Sequence, residues 1–250
     1  MKIFNNRYLV PVEWQAPSSG EEFYIFNPAI TLFRGGLLMA YRVVLSDGKR
    51  RMAICRLDQQ FDIVKKSVVP LSDAIHDADD WQADPRFCIV ADRLYIHFNN
   101  GYQKPNRIFF LELSDDTLLP LGTTRPLVLS GTRQLVEKNW MLFNHEEKEL
   151  LAIYQIAPHV VLRLYPEHAD SVPCVKIHET PWDASRYSTP FGLLRGSTPP
   201  VRVGEVYYSF FHSVYATPKL WRLLNRILHG RRVRSYRYAA GFYGFSAHPP

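Results

Sequence analysis

The feature that most constrains this chain is a turn-and-strand unit that recurs along it. Asn27-Pro28 opens an apolar run, Arg34-Gly35-Gly36 supplies a turn, and Leu37 to Val44 and Met52 to Leu57 follow as further apolar runs. A Gly-Gly turn between such runs is a hairpin signal, so the unit is a small antiparallel meander. The same grammar returns at Asp84-Pro85, with strands expected at Phe87 to Val90, Arg93 to Phe98 and Ile108 to Leu113. It returns again at Lys138-Asn139, before Met141 to Phe143, Leu150 to Ile156 and Val160 to Tyr165, and at Thr198-Pro199-Pro200, before Val201 to Val203 and Val206 to Ser213. Asn27, Asp84, Lys138 and Thr198 are separated by 57, 54 and 60 residues.

A period near 50 to 60 residues with about four short strands per unit predicts an all-β fold, and within it a β-propeller, whose blades bury their faces by stacking on one another. A β-sandwich is also a run of short strands, but the recurring polar opening favours the propeller. Tyr238 to Phe245 reads as a fifth opening about 40 residues after Thr198. The expectation is therefore one five-bladed domain over residues 1–250, with openings near 27, 84, 138, 198 and 238. Its fifth blade would be incomplete at the C-terminus, with an N-terminal strand at Arg7 to Val12 beside it. An unclosed propeller leaves strand edges open, which allows a homo-oligomer. Helix is expected only at Pro218 to Leu228, where apolar residues fall at helical spacing.

The formal charge of +6 suggests nucleic acid until it is located. Lys219 to Arg237 holds seven cations and no acid, so the remaining residues sum to −1, and a global polyanion-binding role is disfavoured. The basic segment 219–237 reads as an insertion from the fourth blade, a short amphipathic helix followed by a hairpin, suited to peripheral contact with an anionic membrane surface or an acidic glycan, with a solvated loop as its plainer role. The first twenty residues lack the pattern of a signal peptide, and no apolar run approaches the roughly 20 residues that span a bilayer. Cys55, Cys88 and Cys174 are widely spaced, which predicts buried free thiols and a reducing, cytoplasmic setting.

In a propeller, polar residues at equivalent places in successive blades converge on a central cavity. The candidates are Asn27, Arg42, Asp84, Arg86, Lys138, Asn139, His159, Thr198 and His212. A carboxylic acid among cations and amides suits protonation of a leaving oxygen beside a held anion. Pro85 is expected to keep Asp84 extended at a strand entrance. Each residue also has a plainer role: turn satisfaction for Asn27 and Thr198, ion pairing for Arg42 and Arg86, core packing for His159 and His212. His76, Asp77, Asp79 and Asp80 lack metal-ligand spacing and read as a solvated loop, so no metal is expected.

Taken together, FNPAI with MAYRV, ADPR, EKNWMLF with IAPH, RGSTPPVRVG with YYSFFHS, and YAAGFYGF resemble glycoside hydrolase family 130, the β-mannoside phosphorylases and related mannosidases, over about Phe23 to Phe245. The resemblance implies a five-bladed propeller that cleaves β-mannosides with inversion. It implies Asp84 as proton donor, Asn27 and Arg42 as sugar contacts, His212 as a histidine at the end of its strand near the site, and Lys138, His159 and Arg107 as phosphate-holding residues; Arg86, Asn139 and Thr198, from the convergent set, are expected as further substrate contacts. No cofactor is implied beyond inorganic phosphate as co-substrate; the partner is an oligosaccharide, not nucleic acid. The chain departs from the family in having Lys138-Asn139 where Lys-Asp is common, which leaves donor and acceptor preference open. Glu137 keeps a second reaction in view: inverting hydrolysis, which needs a second carboxylate about 6.5 to 9.5 Å from the acid. A catalytically weak glycan-binding propeller is the reading from another class.

Overall fold

The structure is a computed structural model that describes residues 6–15, 23–147, 149–218, 227–228 and 235–248. The chain forms two compact units. The first comprises Met1–Lys138, Asn144–Leu150 and Leu164–Cys174, and the second Asn139–Phe143, Leu151–Arg163 and Val175–Pro250.

In the first unit, β1 (Tyr24–Phe33), β2 (Gly36–Val44) and β3 (Arg50–Leu57) form the expected antiparallel meander. Leu38 to Tyr41 in β2 and Met52 to Cys55 in β3 are apolar and buried, so both faces of the sheet are covered. One face packs Leu38, Ala40, Met52 and Ile54 against Phe87, Ile96 and Phe98. The other packs Met39, Tyr41, Val43 and Ala53 against Leu9 and Val10. These two come from the segment expected as a strand; instead, 3-10 turns form at Asn6–Leu9 and Val12–Trp14. Pro11 cannot donate a ladder hydrogen bond, and burial of Leu9 and Val10 fixes the segment without strand pairing.

The second meander runs β4 (Ala83–Val90), β5 (Arg93–Asn99), β6 (Ile108–Leu113) and β7 (Arg125–Leu129). Its last strand pairs in parallel with Val172–Cys174. The acidic loop is solvent-exposed at His76, Asp77, Asp79 and Asp80, as expected, and two of its carboxylates also anchor it: Asp77 accepts from the Thr124 amide at 2.6 Å, and Asp79 accepts from the Asn100 side chain.

The third meander, whose residues are divided between the two units, is ordered β11 (Val172–Thr180), β10 (His159–Leu164), β9 (Glu149–Gln155), β8 (Met141–His145). A short helix, α1 (Ser185–Phe191), precedes the fourth sheet. That sheet has β14 (Val206–Ala216) between β15 (Tyr236–Ser246) on one side and β12 (Leu194–Gly196) and β13 (Val201–Val203) on the other. Tyr238 to Phe245, expected to open a fifth meander, thus pairs with β14 along its whole length. Among the described residues no separate fifth sheet follows. Tyr207 and Phe211, with Tyr243 and Phe245, turn inward onto Met141, Phe143, Ile153 and Val161.

All three cysteines are free and buried, as expected, and burial pushes each thiol up to about 12. Most of the basic segment 219–237 lies outside the described residues. No described helix is long and apolar enough to cross a membrane.

Candidate functional site

Two of the expected openings share an uncommon backbone. Asn27 and Asp84 have φ of +50° and +56°, and the ladder shifts register between Phe26 and Ala29 and between Ala83 and Arg86. These are β-bulges, which insert an extra residue and re-aim a side chain. The expectation that Pro85 holds Asp84 extended is therefore corrected. Asp and Asn tolerate the left-handed region because a short polar side chain bonds locally there.

The bulge residues meet. Asp84 Oδ1 accepts from Arg42 Nη1 at 2.7 Å and from Asn27 Nδ2 at 2.5 Å, and its Oδ2 lies 3.5 Å from Asn99 Nδ2. Arg42 reaches this point because it lies opposite Phe26 in the β1–β2 ladder, and its guanidinium sits 4.9 Å from the Phe26 ring centre. The Asp84 side chain keeps 23% of its surface exposed, so the carboxylate is held by donors yet open to a ligand. Asn99, which the sequence reasoning missed, lies opposite Ala83 and also accepts from the Gly101 amide at 2.9 Å. Its only signal was a polar Asn-Asn-Gly end to an apolar strand.

Behind Asp84, Arg86 pairs across the ladder with His97, another residue the sequence reasoning missed. Burial lowers the Arg86 guanidinium to about 10, partly opposed by the Asp84 charge, so it stays cationic at neutral pH. Burial, and then the Arg86 charge, drive His97 down to about 3, so this imidazole is neutral.

Lys138, also in the first unit, donates from Nζ to the Tyr102 hydroxyl at 2.7 Å and lies over its ring at 4.4 Å. Arg107 is exposed just before β6, and its backbone amide donates to Asn100 Oδ1 at 2.7 Å. Glu137 is 2% exposed: its Oε1 accepts from the Gln134 amide at 2.8 Å, and its own amide donates to Asn106. A cavity of about 420 Å³ in this unit is lined by Asp47, Lys49, Asp79, Asp80, Trp81 and Gln103, polar groups around one indole.

The remaining candidates belong to the second unit. Asn139 has a φ of +64°, matching the backbone of Asn27 and Asp84. His159 packs on the Phe245 ring at 4.6 Å, and burial, with a smaller effect of His178, lowers it to about 4. It is uncharged at neutral pH, so any anion it touches would meet a hydrogen-bond donor, not a cation. Thr198 Oγ1 accepts from the Phe210 amide at 3.1 Å, and His212 Nδ1 lies 2.8 Å from Ser197 Oγ.

No family model matches the sequence, and no curated protein matches it. The fold does have solved counterparts. A thermostable family-43 glycoside hydrolase superposes with a TM-score of 0.56 at 15% identity, over 76% of this chain and 65% of its own. The Bacteroides ovatus protein named Xyloglucan PUL GH43B gives 0.53 at 10% identity, over 78% of this chain and 36% of its own. The GH43_1 enzyme from Xanthomonas citri, solved with xylotriose, gives 0.51 at 12% identity, over 86% and 68%. The chain thus spans just under two thirds of the first of these. Its fold is that of the β-propeller glycoside hydrolases.

Proposed function

We propose that this chain is a carbohydrate-active propeller that cleaves glycosides with Asp84 as its proton donor. The observation that carries the reading is the Asp84 carboxyl, open to solvent over about a quarter of its side chain and surrounded by Arg42, Asn27 and Asn99. Protonated Asp84 would give its proton to the glycosidic oxygen as the bond from that oxygen to the anomeric carbon breaks. The carboxylate left behind is held in a fixed orientation by those three donors as the leaving sugar departs.

Of the two reactions in view, the surroundings of Glu137 favour phosphorolysis. Glu137 is buried and bound by its own loop, which leaves it poorly suited to activating water. Phosphate needs no base, only charge and orientation, and Lys138 with Tyr102 supplies a cation and a hydroxyl. In this scheme a phosphate oxygen bonds to the anomeric carbon on the face opposite the leaving group, giving an inverted sugar 1-phosphate. β-Mannosides are the substrate class the sequence resemblance suggests; xylosides are the class suggested by the ligand of the Xanthomonas citri enzyme.

The test is incubation with β-mannobiose and with xylotriose, with and without inorganic phosphate, followed by product analysis. The proposal expects a sugar 1-phosphate that forms only with phosphate and vanishes in Asp84→Asn. Free sugar formed without phosphate establishes hydrolysis instead. Oligosaccharide binding without either product makes the chain a glycan-binding module.

A further inference from the structure

The cavity of about 420 Å³ in the first unit lies at the same end of the strands as Asp84. Asp47 and Lys49 come from the turn between β2 and β3, Asp79 to Trp81 from the segment entering β4, and Gln103 from the turn between β5 and β6. The ladder pairs Val44 with Arg50 and Ala83 with Asn99 mark where these connections leave the sheets, and Asp84 and Asn99 stand at that edge. There the Gln82 amide donates to the Arg50 carbonyl at 3.1 Å and joins the first two meanders. Trp81 precedes Asp84 by three residues, a reach of at most about 11 Å. Between them lies Gly101: its amide donates to Asn99 Oδ1 at 2.9 Å, and a Cβ built on it would stand 3.5 Å from Trp81 Nε1.

The walls of the cavity are fixed and its rim is free to re-pair. The Arg50 guanidinium sits 4.7 Å from the Trp81 ring centre and braces the indole. Asp47 accepts from the Lys49 amide at 2.9 Å and from both Arg51 Nη atoms, at 3.0 and 2.6 Å. Asp79 accepts from the side chain of Asn100, which is itself buried. Lys49 Nζ and Asp80 Oδ2 lie 3.3 Å apart on side chains that are 56% and 90% exposed, so a ligand can take over their hydrogen bonds. Three carboxylates are matched by Lys49, Arg50 and Arg51, so the site favours a neutral ligand over a charged one. The volume is that of a small-molecule site. An indole wall packs against the C–H face of a sugar ring, while carboxylates accept from its hydroxyls and an ammonium and an amide donate to them.

We propose that this cavity is a distal subsite that holds a neutral oligosaccharide by the sugar residues beyond the bond at Asp84, so that the protein selects chains longer than a disaccharide. The proposal deepens the glycoside reading and rests on it for the class of ligand. Binding is measured on the full chain carrying Asp84→Asn by isothermal titration calorimetry, so that no turnover consumes the probe. The probes are β-mannotetraose, xylotetraose and the corresponding disaccharides. One tetraose is expected to bind about tenfold or more tighter than its disaccharide. Trp81→Ala, checked for folding by circular dichroism, is expected to weaken tetraose binding about tenfold, and Asp80→Ala, a change at an exposed side chain, about threefold. Both are expected to leave disaccharide affinity within about twofold. A tetraose that binds no tighter than its disaccharide overturns the proposal, as does tetraose affinity that Asp80→Ala and folded Trp81→Ala leave unchanged. Heat from calcium chloride alone that Asp80→Ala abolishes, without tetraose binding, assigns the carboxylates to a cation instead. Trp81-dependent tetraose binding in a chain whose parent cleaves nothing keeps this site and removes only the reaction. Cleavage of β-mannobiose without a tetraose preference removes this site and keeps the reaction.

Discussion

The buried His97 beside Arg86 makes stability depend on pH in a way that one substitution can isolate. In the unfolded chain this imidazole takes up a proton near its ordinary value of about 6.5. In the folded chain burial and the Arg86 charge hold it neutral down to about 3. Between those values the unfolded state binds the extra proton, so stability falls as the pH is lowered through that window. At pH 5 the unfolded state gains about 2 kcal/mol from this one group, at 1.36 kcal/mol for each pH unit below 6.5. Every other titrating group is shared by parent and His97→Gln, which cannot take up the proton. Urea unfolding at pH 7 and pH 5 is therefore expected to show the parent losing about 2 kcal/mol more than the variant. The comparison is of losses, so a lower absolute stability of His97→Gln does not disturb it. Equal losses in the two proteins would refute the placement of a neutral His97 against Arg86.

Asp84→Asn keeps the contact geometry but cannot give up a proton, so the glycoside-cleaving rate is expected to fall about 100-fold or more while oligosaccharide affinity stays within a few-fold. A variant with parental turnover removes Asp84 from the chemistry. Lys138→Gln is expected to raise the phosphate concentration for half-maximal rate about tenfold, with little change in the glycoside requirement; an unchanged phosphate dependence places the anion elsewhere. Gly241→Ala puts a methyl group into the Phe211 ring that lies across it, and thermal unfolding is expected to show a loss of about 2 kcal/mol or more. Neutral behaviour there would contradict the β14–β15 register.

The strands that were legible in the sequence are those with a clear turn before them and an apolar run inside them: β2, β3, β5 and β6. β7 and β11 were not, because Pro126 and Pro173 interrupt their patterns and proline argues against a central strand. Both find their places through a parallel pairing that no local signal announces. β15 was visible as a strand but not as a partner of β14. A hairpin is read from a short turn, and here the long basic segment separates the two strands.

The same division applies to the candidate site. Asn27 and Asp84 were legible because a polar residue before proline is conspicuous at the head of an apolar run, and Arg42 because it is a lone cation inside one. Their mutual contact was not, since it depends on which residue of β2 lies opposite Phe26. Asn99 and His97 were hidden because they occupy strand positions whose chemistry appears only once register sets them opposite Ala83 and Arg86. Asn27, Asp84 and Asn139 all take positive φ, at spacings of 57 and 55 residues, so the repeat is a repeat of backbone conformation as well as of apolar pattern. That explains why the openings carry Asn or Asp: these side chains tolerate the left-handed bulge. The constraint selects short polar residues whether or not they react. What separates Asp84 from the other two is therefore its charge and the donors gathered on it, and it is on those donors that the functional reading rests.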